Sequence, residues 1–220
     1  KNYIFVSAAH VLDYEGWYAY KNDPNNKRGT TYLTTQIFLC DLNGRTYPLN
    51  PLMVFIEKDY DVSFITIMKD DKPNLKPLLH ATHGDLTDVV CCNLGFPIRE
   101  FEFNASSLPY NGVDGVKITN GPWLQYGNVT HYLTATLADI KNKKCFVTNY
   151  ASEKGFSGGP LVIRDTNQVI GMMVCVLPEK GKIPTKSVAL SIAEIDSLYE
   201  RNRDKYNRVQ PSVKFIPPNK

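Results

Sequence analysis

This 220-residue chain has few extremes, and what it lacks narrows its function. Its longest apolar run, Val169 to Leu177 ("VIGMMVCVL"), falls far short of the roughly 20 residues a membrane-spanning helix needs, so no membrane span is expected. Net charge is only +3 and the basic residues are scattered, so nucleic acid is not an expected partner. There is no CxxC pair and no Cys/His cluster with zinc spacing. Cys91 and Cys92 are adjacent and point to opposite faces of any strand. No metal and no organic cofactor is expected. The five cysteines are an odd number, which argues against a fully paired disulfide framework and for buried free thiols. The chain opens with neither a methionine nor a signal peptide. Its first residues, "KNYIFVSAAH", already read as a strand, so the natural protein is expected to extend further upstream. Two sequons, at Asn104 and Asn128, do not decide a compartment.

What is there is ordinary globular material, 43% hydrophobic and 21% charged, arranged as short β-rich segments between turns. "YIFVSAA" comes first. "TYLTTQIFLCD" meets "LNGRTYPL" across Asn43-Gly44, a hairpin signal, and "LMVFIE" and "VSFITIM" follow. "KDDKPNLKPLL", with Pro73 and Pro77, reads as a linker. Beyond it come "VVCCNLGFP", "VKIT", "VTHYLTATL", "KCFVTNY", "PLVIRD", "QVIGMMVCVL" and "SVALSI". The pair "PLVIRDTNQVIGMMV" predicts a hairpin turning at Asp165-Thr166-Asn167. Only "SIAEIDSLYERNRDKY" has helical periodicity, with Ser191 and Glu194 spaced as a capping box and Ile192, Ile195, Leu198 and Tyr199 on one face. Two groups of strands around a linker predict an all-β chain of two antiparallel barrels closed by a C-terminal helix. The expected units are 1–70, a linker over 71–84, 85–206, and an extended or disordered tail over 207–220.

Within this frame "EKGFSGGPLV" crowds glycines around one hydroxyl, that of Ser157. A serine hydroxyl becomes a nucleophile when a base, usually histidine, takes its proton and an acid fixes the histidine tautomer. It also needs donors for the oxygen that turns negative. His10 stands in "VSAAHVL" after an apolar strand, Asp61 in "DYDVSFITI" at the head of another, and the N–H groups of Gly155 and Ser157 are candidate oxyanion donors. Asp59 competes with Asp61, because alternation puts both on one strand face. Asp61 directly abuts the apolar run and is preferred, with Asp59 read as a solvated strand-start residue. His80, His83 and His131 have no recognisable partners and read as surface or core residues.

"SAAHVL", "DVSFITI" and "GFSGGPLV" resemble the three signature blocks of the chymotrypsin-like serine endopeptidases, in that family's order. The intervals of 51 and 96 residues suit one barrel donating His and Asp and a second donating Ser. The resemblance runs from about Tyr3 to Tyr206, and the disulfide-poor style is closest to HtrA/Deg-like and bacterial-type trypsin-like peptidases. It implies two six-stranded antiparallel barrels, the first lacking its N-terminal strands, and a peptide or protein substrate. It also implies a His10–Asp61–Ser157 triad with Gly155 and Ser157 as oxyanion hole. In the family the pocket floor lies six residues before the nucleophile, here Ala151. Its walls would lie near Val174-Cys175-Val176 and Ser187-Val188-Ala189. No charge stands there, which implies a small or medium apolar residue before the cut and argues against Lys or Arg.

Three departures accompany the resemblance. Phe156 occupies the place where digestive members carry an aspartate that pairs with a newly cut N-terminus, so the oxyanion hole must be ordered by packing or by a partner. Only about nine residues precede the histidine block. The segment "DYEGWYAYKNDPNNKRGTTY" after His10 is a substrate-contacting loop or a surface excursion. The leading reading is a serine endopeptidase. Its alternatives are a catalytically silent trypsin-fold binding domain and a protease-chaperone needing a partner module. Oligomeric state and localisation are not legible.

Overall fold

The computed structural model describes residues 3–12, 38–40, 46–48, 53–67, 76–81, 86–96, 101–103, 116–118, 122–137, 140–177 and 183–207. The segment after His10, the Asn43-Gly44 turn, most of the expected linker, His83 and the tail lie outside them. Among the described residues every strand pairing between named strands is antiparallel. Strand β1 (Tyr3–Ala8) leads into a single helical turn, α1 (Ala9–Leu12). The strands β2 (Phe38–Cys40) and β3 (Thr46–Pro48) pair with each other, as the hairpin signal predicts. Strands β4 (Val54–Glu57) and β5 (Val62–Ile67) join β1 in a sheet of order β1-β5-β4. The register runs from Tyr3 opposite Ile67 to Ala8 opposite Val62. Central β5 is buried from Val62 to Thr66, which is why "VSFIT" reads as a nearly continuous apolar run rather than an alternating one.

The second half contributes β6 (Val90–Gly95), β7 (Phe101–Phe103), β8 (Val116–Ile118), β9 (Trp123–Leu137), β10 (Ile140–Thr148), β11 (Pro160–Ile163), β12 (Val169–Val176) and β13 (Ser187–Ser191). Six of these form a ring of pairings that closes on itself, β10-β13-β12-β11-β6-β9. The 15-residue β9 makes closure possible. Its first part pairs with β6, Trp123 opposite Gly95, and its second part with β10, Leu137 opposite Ile140. The short β7, which the sequence reading did not foresee, pairs with β8. The β11–β12 hairpin turns where expected, with Asn167 at φ 55° and its N–H donating to Ile163 O at 2.9 Å.

Helix α2 (Ile192–Arg201) is capped by Ser191, whose side chain accepts from Ala193 N at 3.3 Å. The expected reciprocal bond from Glu194 is not the one its Oε1 makes. That oxygen accepts from Lys144 N on β10 at 3.1 Å, tying the helix to the barrel. The helical stretch is also not continuous. It breaks at Asn202 and resumes as α3 (Arg203–Asn207). The break swings Tyr206, fully buried, onto the N-terminal sheet. Its ring stacks on Phe64 at 4.4 Å and tilts against Phe55 at 5.3 Å, and its hydroxyl donates to Glu57 Oε1 at 2.8 Å. One core cluster therefore spans both halves, joining Ala8, Val62 and Phe64 to Met172, Leu190, Leu198 and Tyr206.

Among the described residues no helix is long and apolar enough to cross a membrane. Cys91, Cys92 and Cys145 are buried free thiols and Cys175 is half-buried and free. Cys91 and Cys92 enter different core clusters, as neighbours on opposite faces must.

Candidate active site

His10 sits on α1, the turn that follows β1. Asp61 stands directly before β5, one strand over, in the left-handed region at φ 51°. Their elements are locked by Ala9 N donating to Asp61 O at 3.0 Å. The Asp61 carboxylate then grips His10 twice. Its Oδ1 accepts the His10 backbone N–H at 2.9 Å, and its Oδ2 lies 2.8 Å from the ring Nδ1. A carboxylate only accepts, so the ring proton of neutral His10 sits on Nδ1 and Nε2 is left as the basic nitrogen. Burial sharpens the contrast: the Asp61 side chain is 7% exposed and that of His10 is 42%. The rival Asp59 turns away. It pairs with Lys141 Nζ at 2.6 Å, and that ammonium holds its carboxyl below the usual range.

Ser157 is half-buried in the turn between Phe156 and β11. The turn comes down on the end of β1. Gly158 has φ 81°, and a Cβ there would lie 2.3 Å from Ser7 Oγ and 2.8 Å from Ala8 N. Only glycine tolerates both the angle and the approach. The far side is held by β12, with Gly158 N donating to Met173 O at 2.8 Å and Met173 N to Gly159 O at 2.9 Å. The seam thus brings the serine turn against the residues that lead into His10.

The candidate oxyanion segment is ordered by packing. Phe156 is 2% exposed, and its ring lies so close over Gly95 that a Cβ there would be 2.3 Å from it. Phe96 N donates to Gly155 O at 3.1 Å, and Phe156 N closes a turn onto Glu153 O at 3.3 Å. Gly155 takes φ 102°, as the third residue of a type II turn requires.

The expected pocket residues converge in part. Ser187 lies opposite both Val176 and Thr148. Its Oγ accepts from Ser152 N at 2.6 Å and lies 3.0 Å from Ser152 Oγ, which draws the segment of Ala151 onto β13. Ala151 and Val176 are half-buried, whereas the Val174 side chain is 3% exposed and belongs to the core cluster with Ala8 and Val62. The sequence reading missed a polar layer behind Ala151. Gln125 Nε2 donates to Ala151 O at 2.9 Å. Asn93, opposite Gln125 in the β6–β9 register, is wholly buried, and neither of its amide atoms has a hydrogen-bond partner among the described residues. The signal was a lone asparagine inside the apolar "VVCCNLG". His80, expected to stand alone, pairs with Asp196 of α2 at 3.0 Å, and His131 Nδ1 lies 2.9 Å from Thr130 Oγ1.

Among the described residues no group of three or more His, Cys, Asp or Glu side chains is placed to hold a metal. No family model and no curated protein matches this sequence. Solved structures do. An HtrA-type protease AlgW with a decapeptide superposes with a TM-score of 0.62 at 14% identity, over 92% of this chain and 49% of that one. The Rv3671c protease in an inactive form gives 0.55 at 14%, over 89% and 77%, and Deg5 gives 0.54 at 16%, over 89% and 77%. The chain spans about half the length of the AlgW chains it matches. Its fold is that of the HtrA/Deg-type, trypsin-fold serine proteases.

Proposed function

We propose that this chain is the catalytic part of a serine endopeptidase. The observation that carries the reading is the two-point hold of Asp61 on His10, 2.8 Å to Nδ1 and 2.9 Å to the backbone N. Ser157 Oγ attacks the peptide carbonyl while His10 Nε2 takes its proton. Asp61 keeps the ring in the useful tautomer and stabilises the imidazolium. The N–H groups of Gly155 and Ser157 hold the oxyanion. The protonated His10 then delivers its proton to the leaving amine, and water repeats the cycle on the acyl-enzyme. No metal or organic cofactor enters any step. The work divides between residues 1–70, which carry base and acid, and 85–206, which carry the nucleophile, with 71–84 between them.

The burial of Phe156 supports turnover over a silent binding domain, because packing supplies the order that an aspartate–amine pair supplies elsewhere. The half-buried Ala151 and Val176 and the Ser187 hydroxyl support a pocket without charge. It favours a small or medium apolar residue before the cut, since a Lys or Arg head buried there loses water without gaining a partner.

Labelling with a fluorophosphonate tests the reading. Ser157 of the wild type should react, Ser157→Ala should not, and the rate should rise with pH through the histidine range, around pH 6–7. Absence of labelling in a folded wild type refutes it. A peptide library profiled at the residue before the cut tests the pocket, and a preference for Lys or Arg would overturn that part.

A further inference from the structure

Asp61 holds His10 from a backbone conformation that a non-glycine residue keeps only when its surroundings enforce it. It closes the 3₁₀ turn Lys58–Tyr60, with Asp61 N donating to Lys58 O at 3.0 Å. What grips this turn comes largely from the other half of the chain. Glu57, at its entry, accepts from Lys205 Nζ at 2.5 Å and from Tyr206 OH. Asp59 accepts from Lys141. The Tyr60 ring lies under Lys143 Nζ of β10, 3.9 Å from its centroid, and the Tyr60 hydroxyl accepts from Arg201 Nη2 of α2 at 2.5 Å.

These grips are unequal. The Asp59–Lys141 pair is exposed on both sides, where solvent screens it. Tyr60 is half-buried, directly precedes Asp61, and receives two cations from two different elements on one ring and hydroxyl. Burial works to raise its phenol, and Lys143 and Arg201 more than offset it, so the net direction is down.

We propose that Tyr60 is a positioning residue: pinned by Lys143 and Arg201, it locks the turn that delivers the Asp61 carboxylate to His10. The proposal rests on the reading of His10 and Asp61 as catalytic base and partner, and it names a coupling between the two halves that this reading does not contain. A one-residue lever is short enough to matter, because any rotation of the Tyr60 turn moves the neighbouring carboxylate off Nδ1. Cys175 of β12 also feels Asp61: its thiol is pushed up by burial first and by Asp61 second.

The test compares Tyr60→Ala, Tyr60→Phe and Lys141→Ala in the full chain. The His10 ring is titrated by NMR, its signals assigned by their loss in His10→Gln, and kcat and KM are read on a peptide substrate. Tyr60→Ala should lower the His10 pKa by about half a unit or more, because a displaced carboxylate stabilises the imidazolium less. It should also lower kcat roughly ten- to fifty-fold with KM within about twofold. Tyr60→Phe keeps the ring under Lys143 and should hold kcat within about fivefold of wild type. Lys141→Ala should match wild type in both. A purely structural Tyr60 would lower the unfolding midpoint and leave titration and kcat untouched, and an unchanged His10 titration in Tyr60→Ala overturns the proposal. If Tyr60→Ala does not fold, the Lys143→Met/Arg201→Gln double variant carries the same readouts and decides the matter in the same way. A wild type that no fluorophosphonate labels defeats the peptidase reading, while the His10 titration still decides the clamp.

Discussion

The two β units meet the same difficulty, the unpaired edge of a strand, in different ways. In the six-stranded ring every strand has two hydrogen-bonded neighbours, which β9 meets with different parts of its length. In the sheet β1-β5-β4 each outer strand has a single partner among the described residues. One of its faces shares a core with the other half, Phe64 and Val62 packing in one cluster with Met172 and Leu190 of the ring and Tyr206 of α3, while Leu12, Val54 and Ile65 form a cluster of its own. Among the described residues the barrel closes on its own strands, whereas the sheet that carries His10 and Asp61 leans on the other half across one face. A site divided between a self-sufficient unit and a dependent one can be disturbed from the dependent side without unfolding the other.

The largest expected effect tests whether the dependent sheet carries chemistry. Asp61→Asn keeps the shape but offers an amide where a carboxylate accepted from Nδ1, and kcat should fall about 10³–10⁴-fold with stability nearly unchanged. A loss below about tenfold would take the base out of the N-terminal sheet. Next comes Tyr206→Ala, which removes a fully buried ring and should cost about 3–5 kcal/mol. The comparison sharpens in hydrogen exchange: amides of β1, β4 and β5 should lose protection while β10 to β13 keep theirs. Uniform loss would mean that the two units melt as one.

Smaller still is Gly158→Ala at the seam between the units. The left-handed angle and a Cβ 2.3 Å from Ser7 Oγ should cost about 1–3 kcal/mol, and labelling of Ser157 should slow as the turn is pushed off β1. Labelling at the wild-type rate would show that the seam does not set the serine.

The last test reads the barrel interior, and only at high pH. Burial raises Cys145 to about 12 and Cys91 to about 11. The fold therefore favours the neutral thiols. Their contribution is intact below the ordinary thiol range and is lost as pH climbs through it towards those values. Each group should add a slope of about 1.4 kcal/mol per pH unit within its window. Cys145→Ala should remove one such slope between about pH 9 and 12 in urea-midpoint measurements. An identical alkaline profile would place that sensitivity outside the barrel core.

Local chemistry was legible without a structure. The strands before His10 and after Ser157, the turn at Asp165 to Asn167 and the Ser191 cap each follow from a few neighbouring residues, because turns, caps and strand patterns are short-range. Other features were decided only when distant surfaces met. Nothing near Phe156 says that its ring will settle on Gly95, 61 residues earlier in the chain. Glu194 was spaced for a capping box, but a backbone N–H of β10 competed for the same carboxylate and won. The interruption at Asn202 follows no strong local breaker, and its effect is to let Tyr206 reach Phe64, 142 positions away. Asn93 and Gln125 became a polar layer because β6 and β9 pair in a register that puts them opposite each other. Sequence alone determined which groups this protein has to work with and the local conformations that carry them. The tertiary structure decided which of those groups share a desolvated space, because burial and hydrogen-bond competition depend on partners that the local chain does not contain.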